Sequence, residues 1–112
     1  MSLLPNYQNA VVQNDKIYSY CLNINHERGR HKARVFKQAL GITVKDAELL
    51  KNSILDNLKN FKVTNKVENI FGTLFTIPMT ITIFDKTAII TTAWFIKNNT
   101  NIPTLTTCFV NT

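Results

Sequence analysis

At Phe61 the spacing of apolar residues changes, and this change constrains the fold more than any other feature of the chain. Before it, apolar side chains recur every three or four positions, the period of a helix with one buried face. After it they alternate every second position, the period of a half-buried strand. Helices first and strands afterwards is the order of an α+β domain, not of alternating βαβ units. A chain of 112 residues is large enough for one core and too short for two, so 1–112 is expected to form a single domain.

Two to three helices are expected before Phe61. Asn14 or Asp15 can cap a short one through Leu22, with Ile17 and Cys21 four apart on one face. Leu4 to Val12, ahead of it, reads as an extended arm. A second helix runs from Arg30 to Leu40 and stops at Gly41, a residue suited to a left-handed C-terminal cap. Its wheel puts Ala33, Phe36, Ala39 and Leu40 on one face and Arg30, Arg34 and Lys37 opposite. Thr43 to Asp46 resembles a capping box, with Asp in place of the usual Glu or Gln, and opens a third helix reaching about Asn60. Ala47, Leu50, Ile54 and Leu58 form its apolar stripe, widened by Leu55.

Four strands are expected after Phe61: Lys62 to Glu68, Thr73 to Phe84, Thr87 to Lys97 and Pro103 to Asn111. The turns between them, Asn69 to Gly72, Asp85-Lys86 and Asn98 to Asn101, are short, which implies an antiparallel meander. Pro78 has no N–H to give a ladder and implies an edge or a bulge. One face, carrying Phe75, Ile77, Met79, Ile81 and Ile83, should pack on the helices, while Thr76, Thr80 and Thr82 mark the other. The expected architecture is therefore helices on one face of a C-terminal four-stranded antiparallel sheet.

The formal net charge is +6, a balance that favours polyanionic partners and also keeps proteins soluble. Its distribution is uneven. Arg28 to Lys37 holds five basic residues and a histidine with no acid, which fits phosphate contact by Arg28, Arg30, Arg34 and Lys37, although charge runs are often only solvated helix faces. No apolar run approaches the roughly 20 residues needed to cross a bilayer. Met1 to Pro5 lacks the basic and long apolar regions of a secretory signal, so no membrane partner and a cytoplasmic location are expected. Cys21 and Cys108, far apart and outside any CxxC pattern, read as buried structural thiols.

Motifs for nucleotide, acyl or metal chemistry are missing from the sequence: it has no P-loop, GxGxxG, GxSxG or HxxE. Its seven acidic residues are scattered singly, so neither a metal centre nor a cofactor is expected. RNA still permits cleavage, because its 2′-hydroxyl can attack the adjacent phosphate once a base takes its proton. His31, beside the basic stripe, is the candidate base. Lys32 is the odd member of the run, since the wheel sets it on the apolar side between Phe36 and Ala39, where it must snorkel or meet a partner. A hydroxyl from the sheet, Thr107 or Thr92, completes the candidate site, and His31, Lys32 and these threonines should converge in one cleft. Trp94 reads as core in preference to a stacking platform.

The segments Gly29-Arg30-His31-Lys32-Ala33-Arg34-Val35-Phe36-Lys37-Gln38-Ala39-Leu40-Gly41, Thr92-Ala93-Trp94-Phe95-Ile96 and Pro103-Thr104-Leu105-Thr106-Thr107-Cys108-Phe109 resemble those of a family of small uncharacterised bacterial proteins, as does the Leu4-Pro5-Asn6 opening. That resemblance covers nearly the whole chain and implies toxin association without an established reaction. Helices followed by an antiparallel sheet are also similar, at fold level, to the barnase, colicin and messenger-RNA-interferase ribonucleases. Family members tend to carry Arg where this chain has Thr91 and Thr104. The function expected is that of a nucleic-acid-directed effector, a metal-independent ribonuclease-like domain. The alternative is a non-catalytic module that binds RNA or an acidic protein such as a cognate immunity or antitoxin protein.

Overall fold

The computed structural model describes residues 2–13, 22 and 30–111. The helix expected between Asp15 and Leu22, together with Cys21 and Arg28, lies outside the described residues apart from Leu22, which is buried. Among the described residues two α-helices, α1 (Arg30–Leu40) and α2 (Ala47–Asn57), precede four strands: β1 (Asn65–Glu68), β2 (Gly72–Ile83), β3 (Lys86–Lys97) and β4 (Thr104–Val110). The strands pair in the order β1-β2-β3-β4, every pair antiparallel. This is the expected α+β meander with the helices N-terminal to the sheet. None of the described helices is long and apolar enough to cross a membrane.

Each helix has 11 residues, below the roughly 12–15 at which an isolated helix becomes even marginally stable, so burial of one face must hold them. In α1 that face is Ala33, Phe36 and Leu40. Gly41 ends it at φ +69 and donates its N–H to the Lys37 carbonyl at 2.9 Å. The third predicted helix splits. Val44–Asp46 is a single 3-10 turn, the α-helix starts at Ala47, and residues 58–60 form a turn. The Asp46 carboxylate accepts the Thr43 backbone N–H at 3.0 Å, as in a capping box. Leu50, Ile54 and Leu58 are fully buried, each stabilising the packed state by about 1.5–3 kcal/mol.

β2 shows why the sheet has two different faces. Phe75, Ile77, Met79, Ile81 and Ile83 are buried and join the helical residues in one core, whereas Thr80 and Thr82 are exposed. Across the ladder Phe75 faces Trp94, Ile77 faces Thr92 and Met79 faces Ile90, and Trp94 is completely buried. α1 packs on β3 and β4, and α2 packs on β2. Pro78 lies where β1 does not reach, since β1 pairs with Thr73 to Thr76 only, so the missing N–H falls on a local edge.

The turns differ in detail from the sequence expectation. The β2–β3 turn is Phe84-Asp85, because Ile83 pairs with Lys86, and Phe84 takes a positive φ of 58. Gly72 starts β2 instead of closing a turn, and a Cβ there would stand 2.3 Å from the Ile96 carbonyl oxygen. Asn69 Oδ1 accepts the N–H groups of Phe71 and Gly72 at 2.7 and 3.0 Å, which fixes the β1–β2 turn. The N-terminal arm is shorter than expected. After a 3-10 turn at Tyr7–Asn9, Val11 makes a single parallel bridge to Thr104. Its N–H donates to the Pro103 carbonyl at 2.8 Å, and its carbonyl accepts the Leu105 N–H at 3.0 Å.

Candidate functional site

α1 presents two sets of polar residues. Arg30, His31, Arg34 and Lys37 are exposed, and among the described residues no carboxylate pairs with Arg30, Arg34 or Lys37. Lys32 is half-buried and leaves the stripe. Its ammonium donates to Thr107 Oγ1 at 2.8 Å and stands 5.5 Å from the centroid of the Phe109 ring. Both contacts favour an ordered amine over a solvated one: the hydroxyl accepts a charge-assisted hydrogen bond, and the ring face attracts the cation.

Thr107 and Phe109 reach Lys32 because of where β4 lies. β4 is the last strand of the sheet, and its Cys108 and Val110 point into the core. Thr107 and Phe109 alternate with them and belong to the opposite face. A bulge sits just before this segment: Ala93 pairs with Thr107, yet Trp94 pairs with Leu105, leaving Thr106 as the extra residue. Thr106 donates its hydroxyl to the Ala93 carbonyl at 3.1 Å. Lys32 therefore extends from a helix on the core side to side chains on the open side, around the edge of β4.

A pocket of ≈ 180 Å³ straddles this edge, lined by His31, Lys32, Val35, Phe109 and Val110. It is smaller than the roughly 300 Å³ at which drug-sized ligand sites begin. Its scale suits one phosphate group held by Lys32, with the imidazole of His31 at the rim and Arg30 and Arg34 on the same helix. Thr91 and Thr104 sit on the same open face of the sheet, Thr91 hydrogen-bonded to the Asn111 side chain.

Thr92 does not join this cleft. It is fully buried, donates its hydroxyl to the Ile77 carbonyl at 2.8 Å and accepts the Trp94 indole N–H at the same distance. Both hydrogen-bonding roles of the hydroxyl are taken inside the core, which makes Thr92 an anchor for Trp94 and corrects its candidacy as a site residue. Among the described residues no three His, Cys, Asp or Glu side chains gather as metal ligands. Cys108 is buried in the core.

A family model described as "Domain of unknown function (DUF6883)" matches residues 3–112. The chain belongs to the DUF6883 family. The match covers α1, the Lys32–Thr107 pair and the whole sheet, so the cleft lies inside the DUF6883 domain itself. No curated protein and no solved structure matches the chain.

Proposed function

We propose that this DUF6883 domain acts on RNA, as a metal-independent endoribonuclease of the effector or toxin type. The observation that carries the proposal is the Lys32 Nζ to Thr107 Oγ1 hydrogen bond at 2.8 Å, made by an amine whose side chain also lines a small pocket together with His31. An ammonium placed by a partner on the opposite sheet face is preorganised for an anion, and preorganised charge is the largest lever on phosphoryl chemistry. In the proposed step His31 takes the proton of the ribose 2′-hydroxyl, and that oxygen forms a bond to the adjacent phosphorus. The bond from phosphorus to the 5′-oxygen breaks, the leaving oxygen takes a proton from water, and a 2′,3′-cyclic phosphate results. Lys32 and Thr107 hold the phosphoryl oxygens while charge builds on them, and Arg30 and Arg34 bind flanking phosphates.

The test is incubation with RNA in EDTA beside a His31→Ala variant. Cleavage by the parent and its loss in the variant support the reaction; no cleavage by either protein, or equal cleavage by both, removes it. A second reading rests on a different observation: Arg30, Arg34 and Lys37 form an exposed row that extends past the pocket. Such a row serves a non-catalytic module that binds RNA, or an acidic immunity-type protein. Salt-sensitive binding without cleavage is its signature.

A further inference from the structure

The face of the sheet opposite the helical core contains another cavity, at the other end of β4. Strand alternation brings Leu74, Ala93, Phe95, Lys97, Thr104 and Thr107 to this face, and no acidic residue of the four strands alternates onto it. Near Thr104 the face opens into a cavity of ≈ 390 Å³ lined by Phe95, Lys97, Thr100, Ile102 and Thr104. Ile102 is half exposed there. Phe95 is held from behind, its ring tip lying 2.7 Å from where a Gly72 Cβ would stand, so only glycine lets the ring settle on the β2 backbone. Thr100 donates its hydroxyl to the Lys97 carbonyl at 2.6 Å, which ties down the loop that forms one wall.

We infer that this cavity is a nucleobase subsite, in which a base of single-stranded RNA stacks on Phe95 while Lys97 meets a neighbouring phosphate. The inference rests on the proposed RNA-directed function and extends it from one phosphate to a strand. Three features favour RNA over an apolar protein segment. The cavity is large enough for a base, the only charge in its lining among the described residues is the Lys97 cation, and it shares β4 with the Lys32–Thr107 cleft. Phe109 lies five steps along the strand from Thr104, about 17 Å, so one oligonucleotide can engage both places. Aromatic stacking beside a cation is how sequence-tolerant single-strand binding is built.

The experiment compares fluorescence anisotropy of a 2′-O-methyl RNA hexanucleotide with competition by inorganic phosphate, for the parent, Phe95→Ala and Ile102→Glu. Ile102 is exposed, so its replacement puts an acid in the cavity without disturbing the core. The hexanucleotide should bind at least about ten-fold more tightly than phosphate, and either substitution should lower hexanucleotide affinity about ten-fold while leaving phosphate competition unchanged. Equal affinity of the two ligands overturns the subsite, as does full hexanucleotide affinity in Ile102→Glu, which would point to a protein segment as occupant. Phe95-dependent binding without any cleavage would remove the catalytic reading and leave the subsite standing.

Discussion

The ammonium of Lys32 and the hydroxyl of Thr107 are 2.8 Å apart although 75 positions separate them in the chain. The pair links the basic helix to the open face of the sheet, and Phe109 completes the seat from below the amine. A helical lysine on an apolar side would ordinarily extend to water along its methylene stem. Here the edge position of β4 gives the ammonium a partner before it reaches bulk solvent.

Thr92→Val is expected to cost stability and leave function intact. The valine keeps the shape but strands the Trp94 N–H and removes the donor to Ile77, an expected loss of about 1–3 kcal/mol for a buried group left unpaired. Urea unfolding followed by Trp94 fluorescence measures the loss. RNA binding or cleavage per folded molecule should match the parent, whereas a selective loss of activity would return Thr92 to the site.

The departure of Lys32 from the helical stripe was legible in the sequence; which of the two candidate threonines, Thr107 or Thr92, it meets was not, for a physical reason. On α1 the apolar period is clean, so a lysine out of place on the helical wheel stands out from residue spacing. On β3 the run Ala88-Ile89-Ile90-Thr91-Thr92-Ala93-Trp94 does not alternate in polarity, and parity cannot be read from it. Thr92 falls on the core face only through its pairing with Ile77. On β4 the bulge at Thr106 shifts parity within the strand, so the facing of Thr107 follows from the ladder and not from the local pattern. The C-terminal end of α1 was legible to the residue because Gly41 caps it, while the 3-10 turn at Val44–Asp46 has no signal distinct from an α-helical start.

Gly72 and Gly41 are expected to respond to alanine through different mechanisms. At Gly72 the added carbon would meet the Ile96 carbonyl at 2.3 Å, so β2 and β3 must separate. A destabilisation of about 2–3 kcal/mol or more is expected, as for overpacking. At Gly41 the neighbours are 3.8 Å away and only the positive φ is at stake, giving about 1–2 kcal/mol. Thermal melts of the two variants should rank them in that order.

The exposed stripe should govern the salt dependence of RNA binding. Single replacement of Arg30, Arg34 or Lys37 by alanine is expected to reduce the slope of log affinity against log salt by about 0.7 for each phosphate of single-stranded RNA that is no longer neutralised. Titrations at several salt concentrations measure it. Unchanged slopes in all three variants would confine these cations to keeping the protein soluble.

The central claim, that Lys32 and Thr107 act as one unit on a phosphodiester, is tested most directly by a double-mutant cycle in RNA cleavage. Lys32→Met keeps the stem and removes the charge; Thr107→Val keeps the shape and removes the hydroxyl. Each alone should lower kcat/KM by about 10–100-fold, and the double variant should be no worse than the poorer single one within about three-fold. Effects that multiply, or single variants that cleave as well as the parent, would contradict it.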